Sequence, residues 1–239
     1  MNFLQLCQRV ASDSGTVSGD AKPAAVAGQT GRLGKIVRWT NDAWRDIQNA
    51  RNGWLWMQEE FENDVLLSGV STYNAAAMGI SARFADWMIE QSDPLKSGFS
   101  AYLTATGKDD ETPLKFVTWR DFRFVRARGA AATNPGKPSE FTVMPDLSLR
   151  FYPVPDAAYT VSGLYRKSVQ ELTADADIPE MPERFHSLIV TGALIAYLGT
   201  DDEATVQLPL WAGLRSNPQR FALERDQLPR ISADREFGP

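Results

Sequence analysis

Apolar residues recur at three-and-four spacing toward both ends of the chain and at alternate positions through its middle, and this change of period divides the sequence. Near the start, Phe3, Leu4, Cys7 and Val10 fall on one helical face behind Asn2, whose short polar side chain suits a helix cap. Over residues 30–50 the stripe Leu33, Ile36, Val37, Thr40, Trp44 and Ile47 predicts a second amphipathic helix, with Arg32, Lys35, Asp42, Arg45 and Asp46 largely elsewhere and Asn52-Gly53 ending it. Trp39 lies off that stripe and so predicts a second buried contact. Residues 12–31, rich in Gly, Ser, Ala and Pro, read as a loop that is long for a connection inside a domain, either a mobile arm or a contact with a partner.

From Trp54 to Lys167 the period shortens. Strands are predicted over residues 58–67, 84–90, 101–106, 114–117, 140–144, 148–152 and 159–167, with a short helix over 119–126 capped by Thr118. The segment from Phe141 to Lys167 reads as a hairpin. Leu147, Leu149 and Phe151 alternate with Ser148, Arg150 and Tyr152, Met144-Pro145-Asp146 supplies a turn before them, and residues 153–156 supply one after. Past the Pro- and Asp-rich ADADIPEMP, residues 183–198 are helical in pattern, with Phe185, Leu188, Ile189, Ala193, Ile195 and Ala196 apolar. Asp201 and Asp202 suit the cap of a further helix that Pro209 and Asn217-Pro218 interrupt. The expected fold is α+β: a helical bundle from the N- and C-terminal segments, residues 1–52 and 179–224, with an inserted antiparallel β domain at 53–178. Residues 225–239 form an extended C-terminal tail without period, which could order only against something else.

At 239 residues with 43% hydrophobic content the chain can bury a sizeable core. Lys and Arg number 25 against 30 Asp and Glu, and the formal charge of −5 argues against a protein that coats nucleic acid through its phosphates. Arg123 to Arg128 hold the only local basic cluster, RFVRAR. The lone Cys7 cannot form an internal disulfide, which points to a reducing compartment. MNFLQLCQRV lacks the features of a signal peptide, and no run approaches the ~18 apolar residues a bilayer span needs, so a soluble protein made in a cytoplasm, away from membrane, is expected.

Reactive groups do not converge in the sequence. His186 is the single histidine and has no cysteine or serine motif beside it, so a structural or surface role is expected. Cys7 reads as a small buried hydrophobe. The acids at Glu59, Glu60, Glu62 and Asp64, at Asp109, Asp110 and Glu111, at Asp175 and Asp177, and at Asp201, Asp202 and Glu203 fit a solvated strand face, turns and a helix start. GQTGRLGK, from Gly28, misses the nucleotide-binding spacings and reads as a glycine-rich helix start. Seven tryptophans suit core packing and subunit contact. No catalytic, cofactor-binding or metal residue is expected, and no cofactor.

Taken in order, the segments MNFLQLCQRV, GQTGRLGKIVRWTNDAWRDIQNARNGWLWM, LKFVTWRDFR, GKPSEFTVMPDLSLRFYPVPDAAYTVSGLYRK, ELTADADIPEMPERFHSLIVTGALIAY and ALERDQLPRI resemble the head-to-tail adaptor (connector) proteins of short-tailed bacteriophages, of the elongated-head podovirus type. The resemblance implies a structural protein that forms a ring, usually a dodecamer, beneath the portal and above the tail proteins, with the genome passing through. Residues 206–220 depart from it, since an unbroken helix is expected where Pro209 and Asn217-Pro218 stand. An acidic lumen would let DNA slide without gripping it. The C-terminal segment would fold on binding with Leu228, Pro229, Ile231 and Phe237 as apolar anchors, a frayed terminus being the other reading. Two further readings remain open, another connector or tail-terminator layer and a carbohydrate-binding module using exposed tryptophans.

Overall fold

The computed structural model describes residues 1–15, 22–89, 97–198 and 218–228. In chain order the helices are α1 (Phe3–Asp13), α2 (Gly31–Asn49), α3 (Trp119–Val125), α4 (Ser187–Leu198) and α5 (Pro218–Gln227). The strands are β1 (Gln58–Leu66), β2 (Thr72–Tyr73), β3 (Phe84–Trp87), β4 (Ser100–Leu103), β5 (Thr112–Pro113), β6 (Lys115–Phe116), β7 (Glu140–Val143), β8 (Leu149–Tyr152) and β9 (Tyr159–Lys167). The chain is an α+β protein of two compact units, one from Met1–Met57 with Val169–Pro239 and the other Gln58–Ser168.

The first unit is helical because both chain ends contribute apolar faces to one core. Asn2 closes a capping box: its Oδ1 accepts from the Gln5 backbone N–H at 2.9 Å, and its own N–H donates to the Gln5 side chain at 2.9 Å. Phe3, Leu6, Cys7, Val10 and Ala11 are buried on one side of α1. On α2 the buried set is Ile36, Trp39, Thr40, Ala43, Trp44 and Gln48, and Thr40 returns its hydroxyl to the Ile36 carbonyl at 2.8 Å. Trp39 packs edge-on against Tyr197 of α4, the second contact its position off the stripe predicts. A Cβ on Gly192 of α4 would stand 3.0 Å from that of Ala43, so α2 and α4 approach closely.

This unit extends past the expected boundary at residue 52. Trp54 stacks on Trp56 at 4.5 Å, Trp56 on Trp44 at 6.3 Å, and Trp54 Nε1 donates to the Ile47 carbonyl at 2.9 Å, so apolar contact holds the chain in the helical core as far as Met57. The stretch after residue 168 belongs here too. Gln48 brackets the Gln170 backbone, accepting its N–H at 2.8 Å and donating to its carbonyl at 3.0 Å, and Asn41 does the same for Leu172, whose side chain is buried. Asp175 accepts the Val26 N–H at 2.7 Å, and Asp177 accepts those of Thr173 and Ala174. Its carbonyl and that of Asp175 receive the Phe3 and Leu4 N–H groups, satisfying orphan donors at the start of α1. The described part of the 12–31 loop is therefore pinned to its own chain. Of Asn217-Pro218, read as a break, Asn217 lies outside the described residues and Pro218 opens α5, where its missing N–H costs nothing. α5 continues to Gln227, through the first residues expected to be extended tail, because Leu223 is buried in the helical core. Asp201, Asp202, Glu203 and Pro209 lie outside the described residues.

The second unit holds two sheets. One runs β1-β9-β4-β5 with β3 also on β9, and the other β2-β8-β7-β6. Among these described strands every pairing is antiparallel except β6 with β7, which is parallel. The segment from Phe141 to Lys167 is not one hairpin. β7 and β8 pair with each other, whereas β9 leaves them and takes β1 on one side and β3 and β4 on the other. Residues 153–156 thus carry the chain between sheets. Leu147 does not alternate with Leu149 and Phe151; it sits exposed in the turn at φ 63° while they are buried in β8. Phe61, Trp87, Phe99, Phe141, Phe151 and Tyr165 form the centre of the core, and Gly163 on β9 is the position where it has no room for a side chain.

Candidate functional site

His186 is buried, with Nε2 against the Met181 carbonyl at 3.0 Å and Nδ1 3.1 Å from the amino group of Met1, and burial lowers its pKa. Both ring nitrogens are occupied by structural contacts, leaving neither for a substrate. Cys7 is buried on α1, and desolvation pushes its thiol up to about 11, away from the thiolate a nucleophile needs. Two acids of β1 are parts of hydrogen-bond pairs: Glu59 accepts the Tyr165 hydroxyl at 2.9 Å, and Glu62 accepts Lys108 at 2.8 Å and the Tyr102 hydroxyl at 2.7 Å. Lys108, then Tyr102, holds the Glu62 carboxyl below the usual range. Asp110 is likewise lowered by Lys137. Asp175 and Asp177 are the loop ties described above. Among the described residues no group of three or more His, Cys, Asp or Glu is placed to hold a metal ion. No described helix is long and apolar enough to cross a membrane.

The tryptophan faces that a sugar would need are used internally. Trp54 is 2% exposed inside the stack with Trp44 and Trp56, which removes the basis of the carbohydrate reading at that residue. An apolar cleft in the helical unit is lined by Ala43, Ile47, Trp54, Leu188, Ile195 and Leu223, with Asp42 and Asp46 at its rim. Asp42 at that rim accepts from Arg45 Nη1 at 3.2 Å.

Surfaces are the remaining candidates. Of the anchors expected in the C-terminal segment, Leu228 is half-buried against the helical core and its N–H closes the last turn of α5 onto the Glu224 carbonyl at 3.0 Å. Pro229, Ile231 and Phe237 lie outside the described residues. A different surface, on α3, was not singled out by the sequence reading. Thr118 caps this helix and Phe122 is buried beneath it, yet Phe124 is 72% exposed and Val125 54%. The legible signal was there in RFVRAR: with Phe122 fixed inward, Phe124 two positions on must point away, among arginines. Arg126 is committed to Glu140 through two bonds of 2.9 and 3.2 Å. Arg120, Arg123 and Arg128 are exposed and have no carboxylate partner among the described residues, although Arg128 lies over the Phe124 ring at 5.5 Å.

In a helical unit and a β unit whose single histidine and cysteine are buried and whose Glu59, Glu62, Asp110, Asp175 and Asp177 are tied into structural contacts, the notable exposed feature is Phe124 and Val125 among arginines. The family described as SU10 adaptor protein matches residues 1–235, and the chain belongs to that family. It is a family of structural phage adaptors, not an enzyme class, in agreement with the resemblance read from the sequence. No curated protein matches the chain.

Proposed function

We propose that this chain is the head-to-tail adaptor of a tailed bacteriophage: a non-enzymatic virion protein, made in the host cytoplasm, whose copies close a ring between the portal and the tail proteins. The observation that carries this reading is the family match across residues 1–235. The resemblance favours a dodecameric ring with nozzle or fibre proteins as partners on the tail side. Ring closure requires a heterologous contact in which one patch of each copy meets a different patch of the next. The formal charge of −5 favours a channel wall that repels phosphate, so that genomic DNA passes without specific binding. The helical ends are the bundle and the β unit its insertion, and the C-terminal segment with Leu228, Pro229, Ile231 and Phe237 is a partner-binding strap. Co-sedimentation with portal particles of the same phage tests the reading. The protein is expected to pellet with portal and remain in solution without it; binding to tail proteins but never to portal would select a tail-terminator layer instead.

A further inference from the structure

Helix α3 spends little of its surface on its own unit. Phe122 is buried and Trp119 stacks on it, while Phe124 and Val125 project outward in a groove lined by Trp119, Arg120, Arg123, Phe124, Val125 and Arg128. Trp119 to Arg128 hold four arginines and one aspartate in a chain whose formal charge is −5, so the rest of the same chain is this segment's electrostatic complement. Arginine and aromatic side chains together are what the centre of a protein interface is enriched in.

The same unit carries a face of matching character. Phe61, Val161, Gly163 and Tyr165 point into the core, so Glu60, Glu62, Ser162 and Leu164 of the β1–β9 pair point to solvent. Leu164 is 37% exposed and is the register partner of Glu60. Lys108 occupies Glu62, and Arg166 at the end of the face has Asp86 as its register partner, but Glu60 has no basic partner among the described residues. Glu60 and Leu164 are both exposed, which leaves this face open to approach. One patch therefore sets an apolar centre among uncompensated guanidinium groups, and the other sets an apolar centre beside an uncompensated carboxylate.

We infer that α3 of one copy docks on the β1–β9 solvent face of the next, with Phe124 against Leu164 and Arg120 and Arg123 directed to Glu60. The two patches differ, so the contact is head-to-tail and propagates around a ring; the inference rests on the adaptor reading and supplies its side-to-side surface. Duplex DNA is a poorer fit, because phosphate binding makes no use of an exposed Phe124 and Val125 and the chain as a whole repels it.

Charge exchange tests the contact. Arg120→Glu with Arg123→Glu in one protein, and Glu60→Arg in another, should each weaken assembly on portal about tenfold or more, since like charges then face each other. Mixing the two should restore it, because in alternation every contact is again opposite in sign. Arg123→Cys with Glu60→Cys in one chain should give a ladder of disulfide-linked multimers on mild oxidation of the portal-bound protein, and neither single cysteine should. Reversed variants that assemble as the parent does, or portal-bound double-cysteine protein that yields no ladder, would overturn the inference while leaving the adaptor reading intact. Binding of a labelled DNA duplex that is lost in the Arg120→Glu, Arg123→Glu protein with assembly unchanged would overturn it in favour of nucleic acid. Should the parent protein fail to bind portal, the adaptor reading falls instead. Sedimentation velocity of the concentrated free protein then decides the surface: self-association weakened by the reversal keeps it, and none or an unchanged one rejects it.

Discussion

One methyl group added at Gly163 would probe the centre of the β unit. An ideal Cβ there stands 2.6 Å from two ring carbons of Phe99 and 2.9 Å from one of Phe61, against the roughly 3.5–4.0 Å at which carbon atoms attract. Phe99 has nowhere to retreat, since Phe61, Trp87 and Phe141 surround its ring at centroid distances of 5.9, 6.0 and 4.6 Å. β9 cannot shift either, being paired with β1 on one side and with β3 and β4 on the other. Overpacking of this kind costs about 1–3 kcal/mol. Alanine also removes the conformational entropy that glycine loses in a strand, a gain of about 0.5–1 kcal/mol. The close contacts exceed that gain, and Gly163→Ala should destabilise the unit by about 1–2 kcal/mol. With a urea slope of about 2 kcal/mol/M the midpoint should fall by about 0.5–1 M. Near-UV circular dichroism reads the aromatic cluster, and amide exchange of β1, β4 and β9 assigns the loss to this unit. Adding Phe99→Leu should recover part of it, because the second change removes the obstructing ring. A midpoint unchanged or raised in Gly163→Ala would refute the packing argument.

Other outcomes follow from the helical unit. Burial, followed in importance by the Met181 contact that opposes it, leaves His186 with a pKa below its ordinary value of about 6.5. The unfolded chain then binds the proton first, so stability present above pH ~6.5 should be lost as pH falls from there toward the folded-state value. Urea midpoints between pH 7.5 and 5 should decline less in His186→Gln than in the parent, and identical slopes would reject the assignment. Cys7, buried with its thiol at about 11, should resist a thiol-specific reagent at pH 8 in the folded protein and react fully once urea unfolds it; prompt reaction without urea would contradict its burial. Gln48→Leu should cost about 2 kcal/mol by leaving the Gln170 N–H and carbonyl without their bracket, with slowed exchange at the Gln170 amide lost in parallel. Unaltered exchange there would place the 169–178 stretch outside the helical core.

How far the fold could be read from sequence depended on whether each element carries its own period. Of the predicted stripes α1 buries Phe3, Cys7 and Val10 and α2 buries Ile36, Thr40 and Trp44, with Leu4, Leu33, Val37 and Ile47 half-buried at the margin, and β9 and α3 begin where alternation and Thr118 place them, because amphipathic spacing and a cap are local properties. β2 and β5, two residues each, are too short to hold a period, and the parallel pairing of β6 with β7 depends on contacts that no local pattern encodes. The exit of β9 from the expected hairpin was hidden for the same reason: alternation tells which face a residue takes but not which strand lies beside it. Unit boundaries were obscured by long-range ties. Trp54 and Trp56 read as the start of the β region until their stack on Trp44 is seen, and Asn41 and Gln48 look like solvent-facing polar residues of α2 although they bracket the chain near Leu172 and Gln170. The candidate surface was half legible. The basic cluster was visible, but its meaning depends on Phe124 being exposed, and on Arg126 alone among its arginines being neutralised by Glu140.

Electron microscopy of the protein mixed with its own portal tests whether it couples portal to tail as a ring. An added annular layer is expected on one end of every portal particle, continuous around the axis and absent when portal is omitted. Portal particles that keep their bare outline at saturating protein would contradict it.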